Sequence, residues 1–287
     1  MNVMDERNLG LISAGVGFYL MLALFPGIGA VIAIWGLFSD PSLVEGQVDL
    51  LGRIMPAEGI VLIHDQLQRL SGAEFETLSW ATGLSLGFSL WWARSGVASL
   101  IRGLNAVYRE DHRPNWLHRQ IAAIGITLTL VAMMLVALTA FVAVPVVIAA
   151  FPLGPLANWG LRLARWAVAG TVLVLMLGII YRFGPNRRSA KVPWVSPGAF
   201  LAVLVWAGGS YLFSVYLANF GRYNEVYGSL GAVIALLMWF YLSALVTLMG
   251  AALNAELELR TKVDTTVGPD RPMGERGAYV ADTYLKP

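Results

Sequence analysis

Long apolar runs separated by short polar segments dominate the chain. Six of these runs are long enough to cross a membrane, because a helical span needs about 20 mostly apolar residues. The first run exceeds the apolar core of a secretory signal peptide, so we interpret it as a retained helix. The pattern predicts an all-α, polytopic membrane protein with a six-transmembrane-helix bundle. The predicted spans are 15–38, 79–101, 120–150, 163–183, 198–220 and 228–253.

Two polar regions flank or interrupt this predicted domain, which covers residues 1–259. In the first outer loop, residues 39–78 carry apolar side chains at helical spacing, which predicts short amphipathic helices on the membrane surface or against the bundle. The segment 260–287 is polar, contains one Gly-Pro and one Arg-Pro dipeptide and lacks a periodic pattern of apolar residues. We therefore expect a disordered cytoplasmic tail.

Composition supports a lipid-solvated chain. Hydrophobic residues make up 57% of the sequence and charged residues 13%, whereas soluble domains carry about 25% charged residues. The net charge of +2 is too small to predict nucleic-acid binding. The absence of cysteine excludes disulfides and thiolate metal sites.

The distribution of lysine and arginine predicts the orientation. With both termini inside, fourteen of these residues fall in inner segments and five in outer segments. Basic residues concentrate on the cytoplasmic side of membrane proteins. The prediction is a multi-pass membrane protein with cytoplasmic N and C termini.

Arg94 lies within a predicted span, about seven residues from its inner end. Gly83, Gly87, Arg94 and Asn105 share a narrow arc of the helix at 100° per residue. The glycine pair favours close approach of another helix. Two interpretations remain open for Arg94: a snorkelling or structurally paired side chain, and a functional cation in a hydrated pathway.

A second candidate cluster precedes the last span and contains Arg222, Glu225 and Tyr227. It is either a tight turn with a surface ion pair or a polar mouth that contacts headgroups or substrate.

Four further arginines are candidate contacts for lipid headgroups. Arg162 and Arg165 lie three residues apart at the predicted outer interface, where they would meet phosphates or pair with acids of the outer loop. Arg187 and Arg188 lie in a basic inner loop that topology largely explains.

The sequence contains few of the catalytic or metal-binding motifs expected of an enzyme. His64 falls outside and His112 and His118 inside, so three histidines cannot share a metal. Zinc-protease, P-loop, nucleophile-elbow and EF-hand motifs are absent from the sequence. No Asp or Glu lies within the spans, which disfavours a proton relay and favours lipid-like cargo. We predict no cofactor and no metal.

Six stretches of the chain form a recognisable set of motifs, at 13–26, 104–108, 196–199, 227–234, 239–242 and 250–251. On these stretches the sequence resembles the YihY/BrkB family of bacterial inner-membrane proteins, to about Glu258. This resemblance implies a multi-pass protein of the bacterial inner membrane with six helices and cytoplasmic termini, and it brings a historical ribonuclease label and suggested links to envelope lipids. Where the family often has a glutamate, this chain has Ala252, and Glu256 and Glu258 are the nearby candidates to partner Arg94.

Three functions follow in order of preference. The first is a carrier or flippase-like protein for lipidic or amphipathic envelope cargo. The second is a membrane scaffold or regulatory partner, acting through residues 39–78 and the tail. A membrane-bound hydrolase or ribonuclease is the third. The expected partners are membrane lipids, with a homo-oligomer or an envelope protein as further possibilities.

Overall fold

The structure is a computed structural model that describes residues 7–38, 75–110, 115–150, 155–219 and 229–285. Within these ranges the chain forms six long helices and one short one, and the regular structure is entirely helical apart from one isolated bridge. The helices are α1 (Leu9–Phe38), α2 (Phe75–Tyr108), α3 (Trp116–Ala150), α4 (Pro155–Phe183), α5 (Val192–Asn219), α6 (Ser229–Leu259) and α7 (Tyr279–Asp282). The predicted all-α class is confirmed.

The surface of these helices is apolar where a soluble protein would be polar. Large side chains such as Phe88, Trp159 and Leu212 are more than half exposed, and a contiguous apolar surface of this kind requires lipid or another partner. Among the described residues, five helices are long and apolar enough to cross a membrane. The chain is therefore a polytopic membrane protein. Since α2 is not among the five, the count of six spans stays a prediction.

The helices extend beyond the predicted spans by whole turns. α4 begins at Pro155, which is favourable because the first helical position needs no N–H donor. α6 continues to Leu259, through Glu256 and Glu258, whereas the span predicted from the sequence ends at 253. The polar last turns belong to the helix because their side chains have partners, which are described below.

The chain divides into two compact units. The first comprises residues 1–103 and 204–246, and the second comprises residues 104–203 and 247–287. In the first unit, α1 approaches its neighbours at glycines: a Cβ on Gly17 would lie 3.2 Å from the backbone nitrogen of Tyr241. Near Pro26, which interrupts the hydrogen bonds of α1, the Ser89 hydroxyl donates to the Ala23 carbonyl at 3.2 Å.

Two tryptophans join α5 to α6 within the first unit. The indole N–H of Trp206 donates to Ser243 Oγ at 2.8 Å, and that of Trp239 donates to Ser210 Oγ at 3.1 Å. Their ring centroids lie 5.8 Å apart. Each indole thus gains a polar partner in an apolar setting, where an unpaired N–H would be costly.

In the second unit, α5 and α6 make a closer contact. A side chain on Gly198 would collide with the Gly250 carbonyl. The Asn254 amide, which is fully buried, accepts from the Gly198 N–H at 2.7 Å and donates to the Val195 carbonyl at 3.0 Å. Asn254 therefore satisfies backbone groups around Pro197, which lacks an N–H of its own.

The tail after Leu259 is folded, contrary to the expected disorder. It returns to the α4–α5 connection, where Thr266 forms an antiparallel bridge with Ala190. The Lys191 N–H donates to the Thr265 carbonyl at 2.7 Å, and the Leu285 N–H donates to the Leu259 carbonyl at 2.8 Å. The physical reason is that backbone and side-chain hydrogen bonds hold this segment, together with the buried Val280 and Ala281, although it has no periodic apolar face.

The amphipathic helices predicted for residues 39–78 lie mostly outside the described residues, since only 75–78 belong to α2.

Candidate functional site

Arg94 is a partly buried cation on α2 in the first unit. Its guanidinium carbon lies 5.2 Å from the centroid of the Trp91 ring, within the range of a cation–π contact. Its Nε is buried and has no hydrogen-bond partner among the described residues. The ion pairs found in the described part of the chain are formed by other residues. Arg94 is thus a cation with unused hydrogen-bonding capacity.

The two glycines predicted to share the Arg94 stripe are open. Gly83 and Gly87 are exposed, and a Cβ on either would meet no described atom within 4 Å. The described approach of α2 to α1 runs instead through Gly96, whose Cβ would lie 3.5 Å from Leu20. The close helix contact proposed for Gly83 and Gly87 stays a prediction.

A groove of about 490 Å³ lies between α1 and α2 in the first unit. Its wall is mainly apolar, with a serine and an arginine at one place on α2. The Arg102 Nη2 donates to Ser99 Oγ at 2.6 Å. We call this cavity the α1–α2 groove. Its lining is Leu11, Ile12, Ala14, Gly15, Phe18, Tyr19, Ser99 and Arg102.

Asn105 has a structural role in the second unit. It is 2% exposed, and its side-chain oxygen accepts from the backbone N–H of Asn186 at 2.8 Å. The amide thereby fixes the turn after α4, in which a Cβ on Gly184 would collide with the Ile180 carbonyl. Its contacts explain its polarity without a ligand.

The second unit contains a fully buried ion pair. Arg187 Nη2 lies 2.8 Å from one carboxylate oxygen of Glu258 and 3.0 Å from the other, and neither side chain is exposed. Two sequence-based assignments change as a result. Arg187 is not accessible to a lipid headgroup, and Glu258 pairs with Arg187 rather than with Arg94. Glu256 faces Arg260 at 3.7 Å.

The surroundings of the pair satisfy part of its polarity, while Arg187 Nε and Nη1 are buried without a hydrogen-bond partner among the described residues. The Thr265 hydroxyl donates to Glu258 at 2.7 Å, and the Arg187 guanidinium lies 4.5 Å from the Tyr108 ring centroid. Burial raises the pKa of Tyr108 although the Arg187 charge lowers it. Tyr108 therefore stays neutral and provides a ring face for the cation. The cluster combines the ends of α2, α4 and α6 with the tail.

Two charged residues organise the tail. Arg276, 6% exposed, donates to the carbonyls of Lys262, Val263, Arg271 and Ala281. Asp264 accepts from the Thr266 N–H and hydroxyl and from the Arg271 N–H. Burial raises the pKa of Asp264, but these hydrogen bonds outweigh it and lower the pKa to about 2.

Sequence reasoning missed these tail residues. Their partners are distant along the chain, so periodicity carries no signal for them. One local signal existed: the Asp264-Thr265-Thr266 run is typical of a turn in which the aspartate accepts from the N–H two residues later.

The remaining candidates divide into two groups. Arg222, Glu225 and Tyr227 lie outside the described residues. Arg162 and Arg165 belong to α4, but their side chains lie outside the described part.

Arg188 is partly buried against the tail. Its side chain touches Gly268, where any larger residue would collide with it, and its N–H donates to the Gly277 carbonyl at 2.9 Å. Both glycines have positive φ, of 103° and 71°, which only glycine adopts without strain. Arg188 therefore has structural contacts in the tail.

Within the described ranges, no three histidine, aspartate or glutamate side chains gather as a metal site. Two arrangements of charged residues stand out in the described ranges. The second unit contains the buried Arg187–Glu258 pair. In the first unit, α2 carries Arg94 beside Trp91 and Arg102 in the α1–α2 groove.

Comparisons with known proteins place these features in a family. The chain is 28% identical over 267 residues to the ribonuclease-like protein YfkH of Bacillus subtilis, covering 88% of this chain and 90% of YfkH. It is 25% identical over 209 residues to a UPF0761 membrane protein of Idiomarina loihiensis, covering 73% and 71%. A UPF0761 membrane protein of Xanthomonas oryzae shares 39% identity over 102 residues, 36% of this chain and 23% of that relative.

No solved structure matches the chain. The family model described as virulence factor BrkB matches residues 1–274, a range that includes the six long helices and most of the folded tail. The chain is therefore a membrane protein of the BrkB virulence factor family.

Proposed function

We propose that this protein is a carrier or flippase-like protein of the bacterial inner membrane, with both termini in the cytoplasm, that handles lipidic or other amphipathic cargo of the envelope. The observation that carries the proposal is Arg94, a partly buried cation on a long helix that has no carboxylate partner among the described residues. A charge at such a position is costly, and its usual compensation is an anionic partner or water in a pathway.

The surroundings of Arg94 suit an amphipathic molecule. Trp91, beside the guanidinium, is 60% exposed, and Phe88, one turn earlier, is 59% exposed. An anionic headgroup would meet the cation while the chains stay against apolar side chains. The predicted spans offer no carboxylate to a proton relay, which favours movement of lipid over proton-coupled transport of a polar solute.

Reconstitution tests the proposal. Purified protein in liposomes should accelerate transbilayer movement of a fluorescent anionic lipid. Arg94→Ala should slow it by about tenfold, the value of one hydrogen bond to a charged group. Arg119→Ala, which removes an exposed arginine at the start of α3, is the matched control. Equal rates in liposomes with and without protein would refute the proposal.

A scaffold is the second candidate, and the folded tail supports it. Val263 and Met273 are 61% and 43% exposed on a segment held in one conformation by its own hydrogen bonds, which is a plausible surface for a protein partner or a second copy of the chain. Crosslinking in native membranes should then recover a stoichiometric partner through the tail. Recovery of lipid alone favours the carrier.

A further inference from the structure

We propose that the α1–α2 groove binds an anionic membrane lipid, with an acyl chain along α1 and the phosphate on Arg102. This inference rests on the proposed function and deepens it, since it names a cargo class and a site at which that cargo is held. The argument uses residues of the first unit only.

The apolar part of the groove has the dimensions and lining of a ligand site. Its volume of about 490 Å³ falls within the range of small-molecule pockets. Leu11 and Phe18 are 75% and 54% exposed along it, two helical turns apart on one face of α1. An acyl chain lying along that face would cover both side chains.

The polar part of the groove supplies charge complementarity. Arg102 is exposed, and among the described residues its guanidinium donates to Ser99 Oγ. The ion pairs of the described residues leave its charge uncompensated. A phosphate diester matches this arrangement, because the planar guanidinium binds phosphate oxygens in a bidentate manner and the serine hydroxyl adds a donor.

The position along the helices agrees with a lipid of the inner leaflet. Leu11 lies in the first turn of α1, and Arg102 lies in the last two turns of α2. Both helix ends are predicted to face the cytoplasm, where the leaflet surface is rich in anionic lipid. A phosphate at Arg102 would therefore lie at headgroup level, with its acyl chain directed into the membrane.

Gly15 offers a direct way to close the groove. A Cβ on this residue would meet no described atom within 4 Å, and Gly15 belongs to the groove lining, so a larger side chain here occupies space in the groove. Gly125 on α3 is exposed and equally open, which makes Gly125→Leu the matched control for Gly15→Leu. Arg119→Gln is the control for Arg102→Gln, because both arginines are exposed near predicted cytoplasmic helix ends.

Native mass spectrometry of the full-length protein, purified with phosphatidylglycerol or with phosphatidylcholine, measures the lipid retained. The wild type should retain more phosphatidylglycerol than phosphatidylcholine. Arg102→Gln should reduce phosphatidylglycerol retention about fivefold and leave phosphatidylcholine unchanged. Gly15→Leu should reduce the retention of both lipids, while the two controls behave as wild type and all variants keep the wild-type melting temperature.

Lipid retention that is unchanged in Gly15→Leu, or a wild type without preference for phosphatidylglycerol, overturns the proposal that the groove binds an anionic lipid. If protein-dependent lipid movement persists in that case, the proposed function stands without this site. If the binding pattern holds and liposomes show no protein-dependent movement, the proposed function fails and the lipid site remains.

Discussion

Arg187 in the second unit and Arg94 in the first occupy opposite environments. Arg187 is fully enclosed, faces the Glu258 carboxylate and covers the Tyr108 ring. Arg94 lies partly open beside an exposed tryptophan and, among the described residues, faces no carboxylate. Both arginines have buried nitrogens without a described partner, so those nitrogens do not separate them. The difference shows that the residue type alone does not mark a site. The two arginines differ in whether a carboxylate among the described residues compensates the charge.

The largest effect that sharpens this comparison is expected for the buried pair. Glu258→Ala leaves the Arg187 charge buried without its partner, which should cost about 3–5 kcal/mol of unfolding free energy. Thermal unfolding in detergent measures it. Glu256→Ala, which breaks an exposed pair with Arg260, should cost less than about 1 kcal/mol.

The double variant Arg187→Met with Glu258→Leu tests the same pair by a different route. Because both charges are removed, most of the stability should return. If the double variant is as unstable as Glu258→Ala, the pair has a role beyond mutual compensation.

The next largest effect is expected in the tail. Arg276→Met removes the donors to four backbone carbonyls and should destabilise the tail by about 2–4 kcal/mol. Limited proteolysis should then cleave within residues 260–285. Arg271→Met, at an exposed residue of the same segment, is the control. Equal protease resistance in the two variants would contradict this account of tail order.

A smaller change in stability is expected when alanine replaces a glycine, and it should depend on whether the glycine touches another helix. Gly198→Ala places a methyl group against the Gly250 carbonyl and should destabilise the second unit by about 1–3 kcal/mol. Gly87→Ala enters open space and should change stability by less than about 1 kcal/mol, since alanine is the better helix former. A large loss in Gly87→Ala would instead support the helix contact predicted from sequence.

The smallest effect is the pH dependence of the tail. Because the folded pKa of Asp264 is lowered from 3.8 to about 2, its stabilisation is complete above about pH 4 and is lost as pH falls toward 2. The protection of the Thr266 and Arg271 amides against hydrogen exchange, relative to their intrinsic exchange rates, should fall over that range. Asp264→Asn should remove the dependence, and Asp270→Asn, at an exposed carboxylate, should leave it.

Sequence alone locates the helices because lipid imposes long apolar runs, which composition reveals directly. The six helices described by the structure contain the six predicted runs, apart from residues at two boundaries. The last turn of α6 escapes this logic, since Glu258 looks incompatible with a buried helix until Arg187, 71 residues away along the chain, is seen beside it. Local pattern cannot reveal partners at that separation.

The candidate sites were less predictable than the helices for the same reason. Arg94 is visible in sequence because a charge within an apolar run is an anomaly. Arg102 is not, because an arginine near a predicted helix end is ordinary. Only the packing of α1 against α2 gives it an apolar groove as a neighbour. Asn105 is the opposite case. Its position on the helix face of Arg94 suggests a pathway residue, but its hydrogen bond from the Asn186 N–H explains the buried amide as a structural contact.

The return of Leu285 to Leu259 has a practical consequence for topology reporters. A reporter enzyme attached directly after α6, at Leu259, would replace the tail. The Glu258 carboxylate would then lose the Thr265 hydroxyl, and the contacts of Arg276 with four carbonyls would be lost with the tail. The resulting fusion would report on a damaged protein. Attachment after Leu285 preserves those bonds and is the appropriate design for testing which side of the membrane the C terminus occupies.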